Sequence, residues 1–158
     1  MKNYIIGFLI ICTAVSVSFI YKIERKLPLQ HFPIPPTNDS QVDNPLYLLL
    51  FFSIENCKDC LGVIDVLNRI SAPFIVYGIV PGKELKKENQ LRKVTGAAFE
   101  LISAERFKRY APLYAPTLMG VSQKGRIFFI IPGVPNQKIN LENFLINFYN
   151  KAYALLLY

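Results

Sequence analysis

Leu46-Tyr47-Leu48-Leu49-Leu50-Phe51-Phe52-Ser53-Ile54-Glu55-Asn56-Cys57-Lys58-Asp59-Cys60 is the stretch that decides the fold. Leu46 to Ser53 is almost wholly apolar, which predicts a buried strand. Cys60 to Ile70 predicts the helix that follows, with Cys60, Ile64 and Leu67 on one stripe. Cys57 and Cys60 therefore fall three positions apart, where a strand runs into a helix. A helix N-terminus stabilises negative charge, and the thiolate is the reactive form of cysteine. Two thiols at this junction point to a reversible dithiol.

Beyond it the pattern keeps alternating. Phe74 to Val80 predicts a second strand, ended by Pro81-Gly82. Lys83 to Val94 predicts a highly charged helix with Leu85, Leu91 and Val94 as a thin apolar side. Its carboxylates Glu84 and Glu88 read as solvated. Ala98 to Ile102 predicts a short strand, and Ala104 to Tyr110 a helical turn or two. Thr117 to Ser122 and Arg126 to Ile131 predict a hairpin about Gln123-Lys124-Gly125. Asn140 to Leu156 predicts a last helix capped by Asn140, with Leu141, Phe144, Leu145, Phe148 and Tyr149 at helical spacing. This order implies an α/β domain, a mixed sheet covered by helices on both faces.

The 158 residues hold one such domain and an attachment. With 52% apolar and 13% aromatic residues, a sizeable core is expected. Tyr4 to Tyr21 carries no charge over 18 residues, the lower end of a membrane-spanning length. A cleaved signal peptide is the rival reading of residues 1–22, with Ala14-Val15-Ser16 or Ser16-Val17-Ser18 as the cleavage site. A retained anchor is preferred, because Phe19-Ile20-Tyr21 continues the apolar run past both sites. Lipid attachment at Cys12 is disfavoured by the bulky Ile11 before it. Residues 23–43 read as a linker: Pro28, Pro33, Pro35 and Pro36 favour extended backbone with no packed core, and His31 sits there as a solvated residue. The folded domain spans 44–158.

The net charge of +7 includes Lys83, Lys86, Lys87, Arg92 and Lys93, and a second group at Arg106, Lys108 and Arg109. No aromatic-interleaved recognition motif accompanies them, so the charge reads as a solvated face near an anionic bilayer, with no nucleic-acid partner. A cysteine hydrolase needs a base, and the domain contains no histidine. No Gly-rich phosphate loop occurs. Structural zinc takes four ligands, which Cys57 and Cys60 alone do not supply.

The order of elements and two motifs resemble the thioredoxin fold over residues 44 to about 150. One motif is Cys57-Lys58-Asp59-Cys60. The other is Tyr114-Ala115-Pro116-Thr117-Leu118, followed by Gly125-Arg126-Ile127 and Gly133, which is similar to the family's cis-proline segment, closing hairpin and final glycine. The extra helix and short strand between Val80 and Pro116 resemble the insert of membrane-anchored thioredoxin-like proteins of bacterial envelopes, including reductases of cytochrome c maturation. The resemblance implies a membrane-tethered thiol–disulfide oxidoreductase, single-pass in the bacterial cytoplasmic membrane through residues 4–21. Its redox domain would lie on the extracytoplasmic side, as a dithiol without other cysteines in its soluble part also favours. It implies cysteine-containing protein substrates, a membrane thiol electron donor and no cofactor beyond the Cys57–Cys60 pair. Cys57 would be the nucleophile and Cys60 the resolving thiol. Lys58 and Asp59 would tune the thiolate in opposite directions. A cis Ala115–Pro116 bond beside the cysteines, with Thr117 next to it, would pair the backbone of Ala115 with an extended substrate.

The chain departs from the family pattern at three places. Asn56 replaces an aromatic residue before the first cysteine, and Phe51 replaces a buried carboxylate. Lys58-Asp59 stands where reductants carry Gly-Pro or Pro-Pro. The rival reading is a non-catalytic thioredoxin-fold binding module or a Cu(I) carrier, for which Met119 would be a weak ligand.

Overall fold

The computed structural model describes residues 32–34, 44–56, 60–134 and 138–153. The expected anchor at 4–21, the tail after Tyr153 and His31 lie outside them. Among the described residues, no helix is long and apolar enough to cross a membrane.

Leu46–Phe51 forms β1, and every side chain in it is buried. Its alternate residues serve two cores. Leu46, Leu48 and Leu50 join one cluster, and Tyr47, Leu49 and Phe51 the other. That double burial explains the unbroken apolar run. β1 is the middle strand. It pairs in parallel with β2 (Phe74–Val80), from Leu46↔Phe74 to Phe51↔Ile79. On its other side it pairs antiparallel with β4 (Thr117–Ser122), from Leu46↔Ser122 to Phe51↔Thr117. β3 (Glu100–Ser103) extends the sheet in parallel beyond β2, and β5 (Ile127–Pro132) closes the hairpin with β4. The order is β3-β2-β1-β4-β5.

α1 (Cys60–Arg69) covers the first face with Cys60, Val63, Ile64, Val66 and Leu67 buried, so the expected stripe is the packed one. α4 (Lys138–Phe148) lies beside it and buries Leu141 and Leu145. The second face is covered by a 3-10 segment, Ala104–Tyr110, through Phe107, and by Phe32.

Several expectations change. The single helix over Lys83 to Val94 is two, α2 (Gly82–Leu85) and α3 (Glu88–Thr95), broken where Lys87 takes φ −115°. Leu85 and Leu91 both pack on the first core. Six positions apart on one continuous helix they would diverge by about 120°, and the break realigns them. Val94, expected on the apolar side, is exposed.

The third strand begins at Glu100 and not at Ala98, because side chains use the preceding backbone groups. Asn68 Oδ1 accepts from Ala98 N at 2.8 Å, and Arg92 donates to the carbonyls of Ala97 and Phe99 at 2.8 and 2.9 Å. The last helix starts before Asn140, which is therefore no cap, and widens into a π turn at Tyr149–Tyr153. That turn brings Tyr149 and Tyr153 together as a tilted pair and sets Tyr153 edge-on to Phe128. Finally, the stretch read as an unpacked linker contains Phe32, which is only 2% exposed. It stacks on Phe107 at 4.8 Å, meets Phe51 edge-on at 6.4 Å and donates its N–H to Gly125 O at 2.7 Å.

Tyr153 gives a pH prediction. Its hydroxyl donates to Pro45 O at 2.9 Å, and its pKa is pushed up to about 12, first by burial and then by Tyr149 and Tyr47. The unfolded chain ionises near ~10, whereas the folded chain keeps the proton. Stability is therefore full below pH ~10 and falls as pH rises towards ~12. Urea unfolding between those limits is expected to show a shallower loss for Tyr153→Phe than for the native chain. Equal slopes would refute the assignment.

Candidate functional site

The buried run of β1 ends at Phe51–Phe52, with Phe52 N donating to Ile79 O at 3.1 Å. A single 3-10 turn, Ile54–Asn56, then leads out of the sheet. Cys57, Lys58 and Asp59 lie outside the described residues. Cys60 opens α1, is 1% exposed and is disulfide-bonded. It shares the first core with Phe52 and Leu118. A buried sulfur fixed at a helix start suits a resolving position, because solvent and bulky partners do not reach it.

The second part of the site comes from the far end of the chain. The Phe51↔Thr117 register places Pro116 beside the end of β1. The Ala115–Pro116 peptide is cis. Pro116 and Thr117 are buried and Ala115 is half-buried. Thr117 Oγ1 donates to Tyr114 O at 2.6 Å, and Val134 N donates to Pro116 O at 3.3 Å. These bonds hold the loop from both sides. The side chains before it face outward: Leu113 is 93% exposed and Tyr114 67%. Ile54 and Leu61, flanking the cysteine loop in sequence, are exposed as well. The sheet thus joins Cys60, Ala115, Pro116 and Thr117 into one end of the molecule.

Phe51, the departure from the family's buried carboxylate, points into the second core with Phe32, Phe107 and Met119. An aromatic cluster fills that position. It also buries Met119, at 3% exposure, on the opposite side of the sheet from the Cys60 cluster. Among the described residues, no group of three or more His, Cys, Asp or Glu is placed to hold a metal ion.

Glu84 was read as solvated, and the structure corrects that. Its Oε2 accepts the Ile54 N–H at 3.0 Å, and its Oε1 is buried. Glu88 instead takes Arg92 at 2.7 Å along α3. Next to Glu84, Lys83 Nζ reaches Glu55 Oε1 at 2.9 Å, and that hydrogen bond and charge raise the lysine's pKa. The one sequence signal for this contact was position: Glu84 follows the end of β2, the strand paired with the one that carries the cysteines.

Strand order, a cysteine opening the helix after the middle strand and a cis-proline beside it define the fold as thioredoxin-like. Solved structures agree. StoA from Bacillus subtilis superposes with a TM-score of 0.53 at 16% identity, over 66% of this chain and 85% of StoA. A thioredoxin-family thiol:disulfide interchange protein from Chlorobium tepidum gives 0.52 at 18% identity, over 65% and 78%. A thiol:disulfide interchange protein from Bacteroides sp. gives 0.53 at 15%, over 69% and 76%. No family model and no curated protein matches the chain by sequence.

Proposed function

We propose that this chain is a thiol–disulfide oxidoreductase that exchanges disulfides with cysteines of other proteins. The observation that carries the reading is Cys60, buried, disulfide-bonded and opening α1, in the same end of the sheet as the cis Ala115–Pro116 bond. The structural neighbours that are thiol:disulfide interchange proteins support it.

In the reductive direction the Cys57 thiolate attacks a substrate disulfide. One substrate sulfur leaves as a thiolate, and a mixed disulfide to Cys57 forms. Cys60 then attacks the Cys57 sulfur, the second substrate thiol leaves, and the Cys57–Cys60 disulfide remains. A thiol donor in the membrane restores the dithiol, and no further cofactor takes part. Lys58 favours the Cys57 thiolate and Asp59 opposes it. The Ala115 backbone, presented by Pro116 and Thr117, pairs with the extended substrate. The apolar run at residues 4–21 tethers the domain to a bacterial cytoplasmic membrane, with the dithiol on the extracytoplasmic side. Reduction is the preferred direction, on the likeness of the α3–β3 insert to that of envelope reductases.

The test is turnover of a protein disulfide by the full chain, with the reduction potential measured beside it. A potential near about −270 mV supports a reductant, and one near about −120 mV an oxidant. Absence of turnover, with tight Cu(I) binding, would replace the proposal with a metal carrier.

A further inference from the structure

Ser53 stands directly before the 3-10 turn Ile54–Asn56, where a serine ordinarily caps a helical turn. It does not do so. Its hydroxyl is buried and has no hydrogen-bond partner among the described residues. The Ile54 N–H is taken instead by Glu84 Oε2 at 3.0 Å, from a residue 30 positions away. The same two elements meet again where Lys83 Nζ donates to Glu55 Oε1 at 2.9 Å. Adjacent side chains of α2 thus hold adjacent residues of the turn that leads to Cys57.

The two bonds differ in weight. The Lys83 and Glu55 side chains are 66% and 69% exposed, so that pair adds little by itself. Glu84 makes a charge-assisted bond to backbone, and its Oε1 is buried without a partner among the described residues. A Cβ on Gly82 would lie 3.2 Å from Ser103 Oγ, so α2 abuts the end of β3.

We propose that Glu84 is a positioning residue for the dithiol: its carboxylate caps the turn Ile54–Asn56 and thereby fixes the backbone that leads into Cys57. The consequence for catalysis rests on the oxidoreductase reading; the cap does not. Glu84 acts on the Cys57 thiolate in two opposite ways. Its charge disfavours the thiolate, whereas its cap orders the turn that precedes Cys57 in the chain, and an ordered approach to a helix N-terminus favours the thiolate.

Three variants of the full chain separate these effects. Glu84→Gln removes the charge and keeps an acceptor oxygen. Glu84→Ala removes both. Ile54→Pro keeps the charge and removes the donor, at a first-turn position that proline tolerates. Lys83, Glu55 and Glu105, the other charged groups packed about this contact, are unchanged in all three. The readout is the pH profile of Cys57 alkylation by iodoacetamide, with disulfide turnover measured alongside. Glu84→Ala and Ile54→Pro are expected to titrate at higher pH than Glu84→Gln and to turn over roughly 10-fold more slowly. Glu84→Gln is expected to titrate at or below the native pH.

Coincident profiles for Glu84→Ala and Glu84→Gln overturn the proposal, whatever their melting temperatures. If Glu84→Ala does not fold, Ile54→Pro against the native chain decides, because both carry the Glu84 charge and only one has the cap: coincident profiles overturn the proposal. A native chain without turnover would remove the oxidoreductase reading alone, because the alkylation profiles still decide on Glu84.

Discussion

Cys57→Ser is expected to lose all measurable turnover of a protein disulfide, while Cys60→Ser is expected to stop after one step with substrate attached. The two outcomes follow from order of attack. A serine hydroxyl at 57 is not ionised near neutral pH, so no mixed disulfide forms. A serine at 60 leaves the first attack intact and removes the thiol that would release the product. Cys60 also packs at 1% exposure in the first core. Serine there places a hydroxyl among Phe52, Ile64 and Leu118, so Cys60→Ser is expected to lose stability as well. Non-reducing gels of the trapped adduct, with denaturant midpoints measured beside them, distinguish the two losses. Adduct formation by Cys57→Ser through Cys60 would reverse the assigned roles.

Phe32→Ala is expected to destabilise the domain by about 3–5 kcal/mol, the usual range for emptying a buried phenylalanine site. That is a large share of the roughly 5–15 kcal/mol that holds a domain of this kind together. The ring is in contact with Phe51, Phe107 and Tyr110 at once, so its removal opens a cavity between a strand and a 3-10 segment. Among the described residues, no long helix on that face is available to close it. The N–H bond to Gly125 O adds a second anchor. Gly125 is needed there twice over: its φ is +80°, and a Cβ would run into the Phe32 carbonyl. Gly125→Ala is accordingly expected to destabilise in the same direction. Urea midpoints measure both. A midpoint for Phe32→Ala equal to that of the native chain would mean that the segment is only a tether.

These two cases show where local reading succeeds and where it stops. Phe74–Val80 and Thr117–Ser122 match their expected bounds because each is an apolar run cut off by Pro, Gly or polar turn residues. The Cys60, Ile64, Leu67 stripe was legible because helical spacing is a property of neighbours in the chain. Phe32 was misread because proline density reports a backbone preference, whereas the burial of a ring depends on the surface opposite. That surface is built from residues 51, 107 and 110. The break between α2 and α3 was hidden for a similar reason: it serves the alignment of Leu85 and Leu91 on a sheet the chain has yet to form. Glu84 looked solvated because a charged helix normally is, and its partner is a backbone N–H, which no residue letter reveals.

By itself, then, the sequence determined the strand-helix alternation, the two cysteines after a strand and the proline segment of the candidate site. All of these are written in composition and short-range spacing. Only the tertiary structure decided what surrounds them. It packed Phe51 with Phe107 and Met119, docked Phe32 against it, and brought Glu84 to the turn before Cys57. Each of these joins groups distant in the chain, and their energies come from burial and hydrogen bonding that exist only once the sheet has assembled.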